Sequence, residues 1–167
     1  MTIHIDDAST VDPVITMVHT LDAPREVVWQ AFTNPTHVAR WYGGRGFANP
    51  VCEMDVRPGG HWHHVMRTPD GGEHRLHFIF VEVLKPERLS WKTEHGLSGE
   101  PAAFNAVTLE DHGHQTRVVF VARFTSSVER DLAMSWGFAA VLREGRDRMR
   151  ELLATLRGWI DTTGQQT

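Results

Sequence analysis

A single cysteine, Cys52, stands among the 167 residues, which excludes an internal disulfide and fits a reducing compartment. No apolar run approaches the ~18 residues of a membrane-spanning helix, so no membrane insertion is expected. The segment Met1 to Val11 is polar and acidic and lacks the basic start and apolar run of a secretory signal, so the expected location is cytoplasmic. Excess charge is also missing: 17 basic and 21 acidic side chains are interspersed and give a net charge of −4. Nothing is basic enough to track a phosphate backbone, and nucleic acid is not an expected partner. There is no repeat, low-complexity block or linker. The remaining composition is ordinary, with 41% apolar and 23% charged residues. A chain of this length buries roughly 68–70% of its unfolded surface. One domain is expected over residues 13–160, between flexible ends at 1–12 and 161–167.

The β-branched run Val14-Ile15-Thr16-Met17-Val18-His19-Thr20 predicts a first strand. Asp22-Ala23-Pro24 then opens a helix in which Val28, Ala31 and Phe32 share one face, and Thr33-Asn34-Pro35 stops it and caps a second, Thr36 to Trp41. From Phe47 to Thr125 the chain reads as β, with turns near 58–60, 69–72, 85–87, 96–101 and 111–114 separating about six strands. After Ser126-Ser127 the apolar period changes from two to 3.6: Phe138, Leu142, Gly145, Met149, Leu152 and Leu156 form one stripe of a long helix, about Val128 to Trp159. An antiparallel sheet of about seven strands with two short helices and one long amphipathic helix must bury that stripe on its concave face. This is the α+β helix-grip arrangement, and the gap between bent sheet and cylinder is a natural apolar pocket.

An ordered set of short motifs carries a resemblance. Ala23-Pro24-Arg25-Glu26-Val27-Val28-Trp29, Asn34-Pro35, Arg40-Trp41, Arg57-Pro58-Gly59-Gly60, Pro69-Asp70-Gly71, Pro86-Glu87-Arg88-Leu89, Thr116-Arg117-Val118 and Trp136 follow one another along the chain. Together they resemble the activator of heat-shock-protein-90 ATPase homologue-like family, a branch of the START-like (SRPBCC) superfamily, over roughly Ile15 to Leu156. The resemblance implies the helix-grip fold and a ligand cavity. It does not imply co-chaperone activity.

Eleven histidines are the sharpest chemical feature. If Pro69–Gly72 form a four-residue loop, Thr68 pairs with Glu73, so that His64 faces His77, Trp62 lies opposite Ile79 and Met66 opposite Arg75. That face would be a pocket wall, with His61, His63, Val65, Arg67 and His74 on the other side and Phe78 and Phe80 on the outer face, hinting at a sheet-covering contact. A one-residue change in the loop reverses these partners. His64 and His77 then read as ligand-facing donors, as half of a metal site short of the three or four ligands zinc requires, or as ordinary strand histidines. No nucleophile motif, phosphate loop or cofactor motif is present, so no cofactor is expected. Arg57 and Arg88 adjoin turns and are expected to fix them. Tyr42 and the glycines after Trp41 suggest a mobile lid.

The first functional expectation is therefore binding of a small apolar or amphipathic molecule by Trp41, Trp62, His64, Met66, His77, Ile79, Phe138 and Leu142, in a monomer or weak homodimer. The alternatives are a cyclase- or lyase-type enzyme using a cavity histidine as general base, and a stress-linked, chaperone-associated binding module.

Overall fold

The computed structural model describes residues 2–5, 13–94 and 102–163. Its elements run β1 (Thr2–Ile5), β2 (Val14–Leu21), α1 (Arg25–Thr33), α2 (Pro35–Trp41), β3 (Ala48–Met54), β4 (His61–Arg67), β5 (Glu73–Leu84), β6 (Arg88–Thr93), β7 (Ala103–His112), β8 (Gln115–Phe124), α3 (Ser127–Ser135) and α4 (Phe138–Thr163). The strands form one antiparallel sheet in the order β1-β2-β8-β7-β6-β5-β4-β3. The curved sheet grips the C-terminal helix, the expected helix-grip fold. One strand is additional. Thr2–Ile5 pairs with β2 at the sheet edge, within the segment expected to be a flexible end; residues 6–12 and 164–167 of the expected ends lie outside the described residues.

Alternation builds the concave face. In β2 the inward side chains are Ile15, Met17, His19 and Leu21; in β8 they are Thr116, Val118, Phe120, Ala122 and Phe124. Helix α4 lays Met149, Leu152 and Leu153 on this face, with Phe138 and Leu142 partly buried along the same stripe. Helices α1 and α2 cover one end, joined at Asn34, whose side chain accepts from the Thr36 N–H.

The expected single C-terminal helix is two. Ser126 caps α3, accepting from the Glu129 N–H, and Gly137 separates α3 from α4 with φ +86°. A left-handed residue ends a helix, and only glycine takes that conformation without strain.

The β4–β5 register also differs from expectation by one residue. Thr68 and Gly72 close a five-residue loop: the Thr68 N–H bonds the Gly72 carbonyl at 2.8 Å and the Gly71 N–H bonds the Thr68 carbonyl at 2.9 Å. The Asp70 carboxylate accepts from the Gly72 N–H and the Thr68 hydroxyl. The last ladder pair is consequently Arg67 with Glu73, so His63 faces His77, His64 faces Leu76, Trp62 faces Phe78 and Met66 faces His74. His77 and Ile79 fall on the outer face. Phe78 and Phe80 point inward and are buried, which removes the basis for a sheet-covering contact through them.

Candidate functional site: an aromatic cavity under the C-terminal helix

One end of the concave face is filled. Trp62 sits at its centre, with ring centroids of Phe78 at 4.8 Å, Trp91 and Tyr42 at 5.6 Å, and Phe80 stacked at 6.0 Å. Behind it a buried hydrogen-bond chain is closed at every link. The Trp62 indole N–H donates to His64 Nδ1 at 3.2 Å, which fixes the proton on Nε2, since an indole can only donate. His64 Nε2 then donates to Asn49 Oδ1 at 2.7 Å, and Asn49 Nδ2 donates to the carbonyls of Ala39 and Tyr42, both at 2.9 Å. Burial lowers the His64 pKa to about 4, so the ring is neutral, as the chain requires. His64 thereby ties β4 to β3 and α2.

The other end is open space. A cavity of about 340 Å³ lies between the sheet and α4, toward the lower end of the ~300–1,000 Å³ typical of small-molecule sites. Of the eight residues singled out in the sequence, Trp41, Met66, Phe138 and Leu142 line it. The other four expected residues do not. Trp62 and His64 form the packed layer behind Tyr42, whose ring lies 4.4 Å from that of His64. His77 and Ile79 are on the outer face because of the five-residue loop. There His77 Nδ1 meets His63 Nδ1 at 2.5 Å. Among the described residues no three His, Cys, Asp or Glu side chains are placed to hold a metal ion. Cys52 is half-buried beside Trp62 and burial raises its thiol pKa to about 11, which leaves it no nucleophilic character near neutrality.

Trp136 lines the cavity yet is 57% exposed, so the cavity reaches solvent beside the α3–α4 junction. His19, on β2, also borders the cavity. His19 is buried, and neither ring nitrogen has a hydrogen-bond partner. Burial, reinforced by the Arg150 and Arg146 guanidinium groups and opposed by Asp147, lowers its pKa to about 4. Asn105, on β7, borders the cavity as well and is also buried. Both were overlooked in the sequence, although each occupies an inward position of an alternating strand, where a polar side chain is the exception.

The glycine loop after Trp41 is tied to α4. Arg148 donates to the carbonyls of Tyr42 at 2.9 Å and Gly44 at 3.0 Å, the Arg45 N–H bonds Glu144, and the Arg45 guanidinium is held by both oxygens of Glu151 at 2.6 and 3.1 Å. A Cβ on Gly145 would come within 3.4 Å of the Gly43 carbonyl, so α4 and this loop pack backbone to backbone. Arg57 and Arg88 do stabilise their turns, through Asp55 at 2.7 Å and Glu82 at 2.6 Å.

An antiparallel sheet gripping a C-terminal helix over an aromatic cavity defines a START-like domain. The family model for activator of Hsp90 ATPase homolog 1-like protein matches residues 22–154, and the chain belongs to that family. Among solved structures, a protein of Nitrosomonas europaea is similar with a TM-score of 0.79 and 24% identity, over 87% of this chain and 96% of that one. A Mycobacterium smegmatis protein superposes with a TM-score of 0.81 at 21% identity, over 92% and 96%. A solution structure from Arthrobacter aurescens gives 0.78 at 23%, over 85% and 86%. These likenesses establish the fold alone. Among curated proteins no sequence matches the chain. No described helix is long and apolar enough to cross a membrane.

Proposed function

We propose that the protein binds one small, largely apolar or amphipathic molecule in the cavity between the concave sheet face and α4. The observation that carries this reading is the contrast between apolar wall and unpaired polar groups in one enclosed space. Met17, Phe120, Phe138 and Leu142 offer surface whose burial by a ligand is worth about 25 cal/mol per Å², while His19 and Asn105 offer hydrogen bonds that nothing in the described structure satisfies. The geometry does not favour catalysis by His64 or His77: one is bonded on both nitrogens inside the packed layer, and the other is on the far side of the sheet. The unpaired thiol of Cys52 supports a cytoplasmic setting.

Methionine methyl NMR tests the reading, because Met17, Met66 and Met149 line the cavity and Met54 does not. Titration with apolar aromatics should shift the first three methyl signals and leave Met54 unmoved. Saturating additions that move none of the three, or that move Met54 equally, would refute cavity binding. Native mass spectrometry of protein purified without denaturation should show the mass of one co-purified small molecule bound to the chain.

A further inference from the structure

We propose that Asn105 determines specificity within this cavity and selects an uncharged, planar aromatic molecule bearing a carbonyl or hydroxyl group, an assignment that rests on the ligand-binding reading above. Asn105 sits on β7 between Trp91 of β6 and Ala122 of β8, in the middle of the sheet. It is only 7% exposed, its side chain borders the cavity, and no described group bonds its carboxamide. A carboxamide carries two donors and an acceptor, and in a buried apolar setting such a group is normally paired. The partner is therefore expected from a molecule in the cavity. His19, which also borders the cavity, is four residues further along the sheet, roughly 13 Å from the Asn105 row.

The wall specifies the rest of the molecule. Ten of the chain's fifteen aromatic side chains line this one cavity, so its surface is made largely of ring faces and edges that stack on a planar partner. Its small volume suits a ring system better than a long acyl chain. Among the described residues Arg146 is the only lysine, arginine or carboxylate side chain on the wall, and it is already held by Asp147 at 2.7 and 3.0 Å. An anion would have to compete with that carboxylate after losing its own hydration, whereas a neutral carbonyl or hydroxyl loses little and gains the Asn105 bond.

Three probes of one ring system separate these terms: naphthalene, 2-naphthol and 2-naphthoate, titrated into the full chain with the methionine methyls as the readout. We expect 2-naphthol to bind about tenfold more tightly than naphthalene, the ratio one buried hydrogen bond supplies, and 2-naphthoate to bind most weakly. Asn105→Leu should abolish the hydroxyl preference, bringing the naphthalene and 2-naphthol affinities together. Equal affinities for naphthalene and 2-naphthol, a preference that survives Asn105→Leu, or tightest binding of 2-naphthoate would each overturn the assignment while cavity binding stands. The wild-type comparison decides the matter if the variant does not fold. If none of the three probes moves the methyl signals of Met17, Met66 and Met149, the ligand-binding reading fails and this inference falls with it.

Discussion

His64 and His19 occupy opposite ends of the same concave face, and both are buried, neutral imidazoles with pKa values lowered to about 4. Everything else about them differs. His64 is bonded on both nitrogens within a filled aromatic layer, and every polar group around it is satisfied. His19 is bonded on neither within the described structure, and its side chain borders the cavity. Burial alone, therefore, does not distinguish a structural histidine from a site histidine. The hydrogen-bond accounts do: at one end both ring nitrogens are bonded within the chain, and at the other, on the reading proposed above, a bound molecule would supply the partners.

Acid should erode both ends and gives the largest effect. The unfolded chain binds protons at these two rings as pH falls below 6.5, while the folded chain resists until about pH 4. Stability is thus full above pH 6.5 and declines between 6.5 and 4, by on the order of 3 kcal/mol for each ring. Urea unfolding across this range should show the slope, and removing either imidazole should reduce it by about half. A slope unchanged in both single variants would mean that other groups govern acid unfolding.

The filled end should be the less forgiving of truncation. Trp62→Ala removes the ring at the centre of the packed layer and should destabilise by about 4 kcal/mol. Trp136→Ala, at the solvent-exposed mouth of the cavity, should change stability by less than about 0.5 kcal/mol. Similar losses at the two tryptophans, measured by equilibrium denaturation, would contradict the division into a filled and an open end. A smaller effect of the same origin is expected of His64→Ala. It strands the Trp62 N–H and the Asn49 carbonyl oxygen in a buried site and should cost about 2–3 kcal/mol.

Much of this was legible in the sequence, and the failures share a cause. The order of elements, the α4 stripe from Phe138 to Leu156, and Trp41, Met66, Phe138 and Leu142 on the cavity wall all follow from periodicity and from turn residues. The β4–β5 face did not follow, because Thr68 and Asp70 close the loop with side-chain hydrogen bonds and add one residue to it. A signal in β5 could have settled the register: the even positions Leu76, Phe78 and Phe80 are wholly apolar, and the rejected face placed Arg75 against the core. The α3–α4 break was hidden because a glycine inside a helical pattern is tolerated, and only its left-handed backbone shows Gly137 to be a terminator. Which inward polar side chains lack partners cannot be read from a sequence, since pairing depends on atoms brought together from distant strands.

The smallest effect is the most discriminating, because its sign reverses between the two ends. His19→Leu replaces an imidazole whose donor and acceptor are both unpaired by an apolar side chain of similar reach on the same inward position of β2. An unbonded buried polar group is a liability, so its removal should stabilise the empty protein by about 1 kcal/mol, whereas loss of the satisfied imidazole at position 64 destabilises it. Thermal unfolding of the two variants at pH 7.5, where both rings are neutral in folded and unfolded chains alike, isolates the hydrogen-bond contribution from the protonation contribution. A His19→Leu variant that lost stability would show that the ring is already satisfied where it stands. One that gained stability would show that β2 keeps a locally unfavourable side chain on the cavity wall, as expected of a group retained for a ligand.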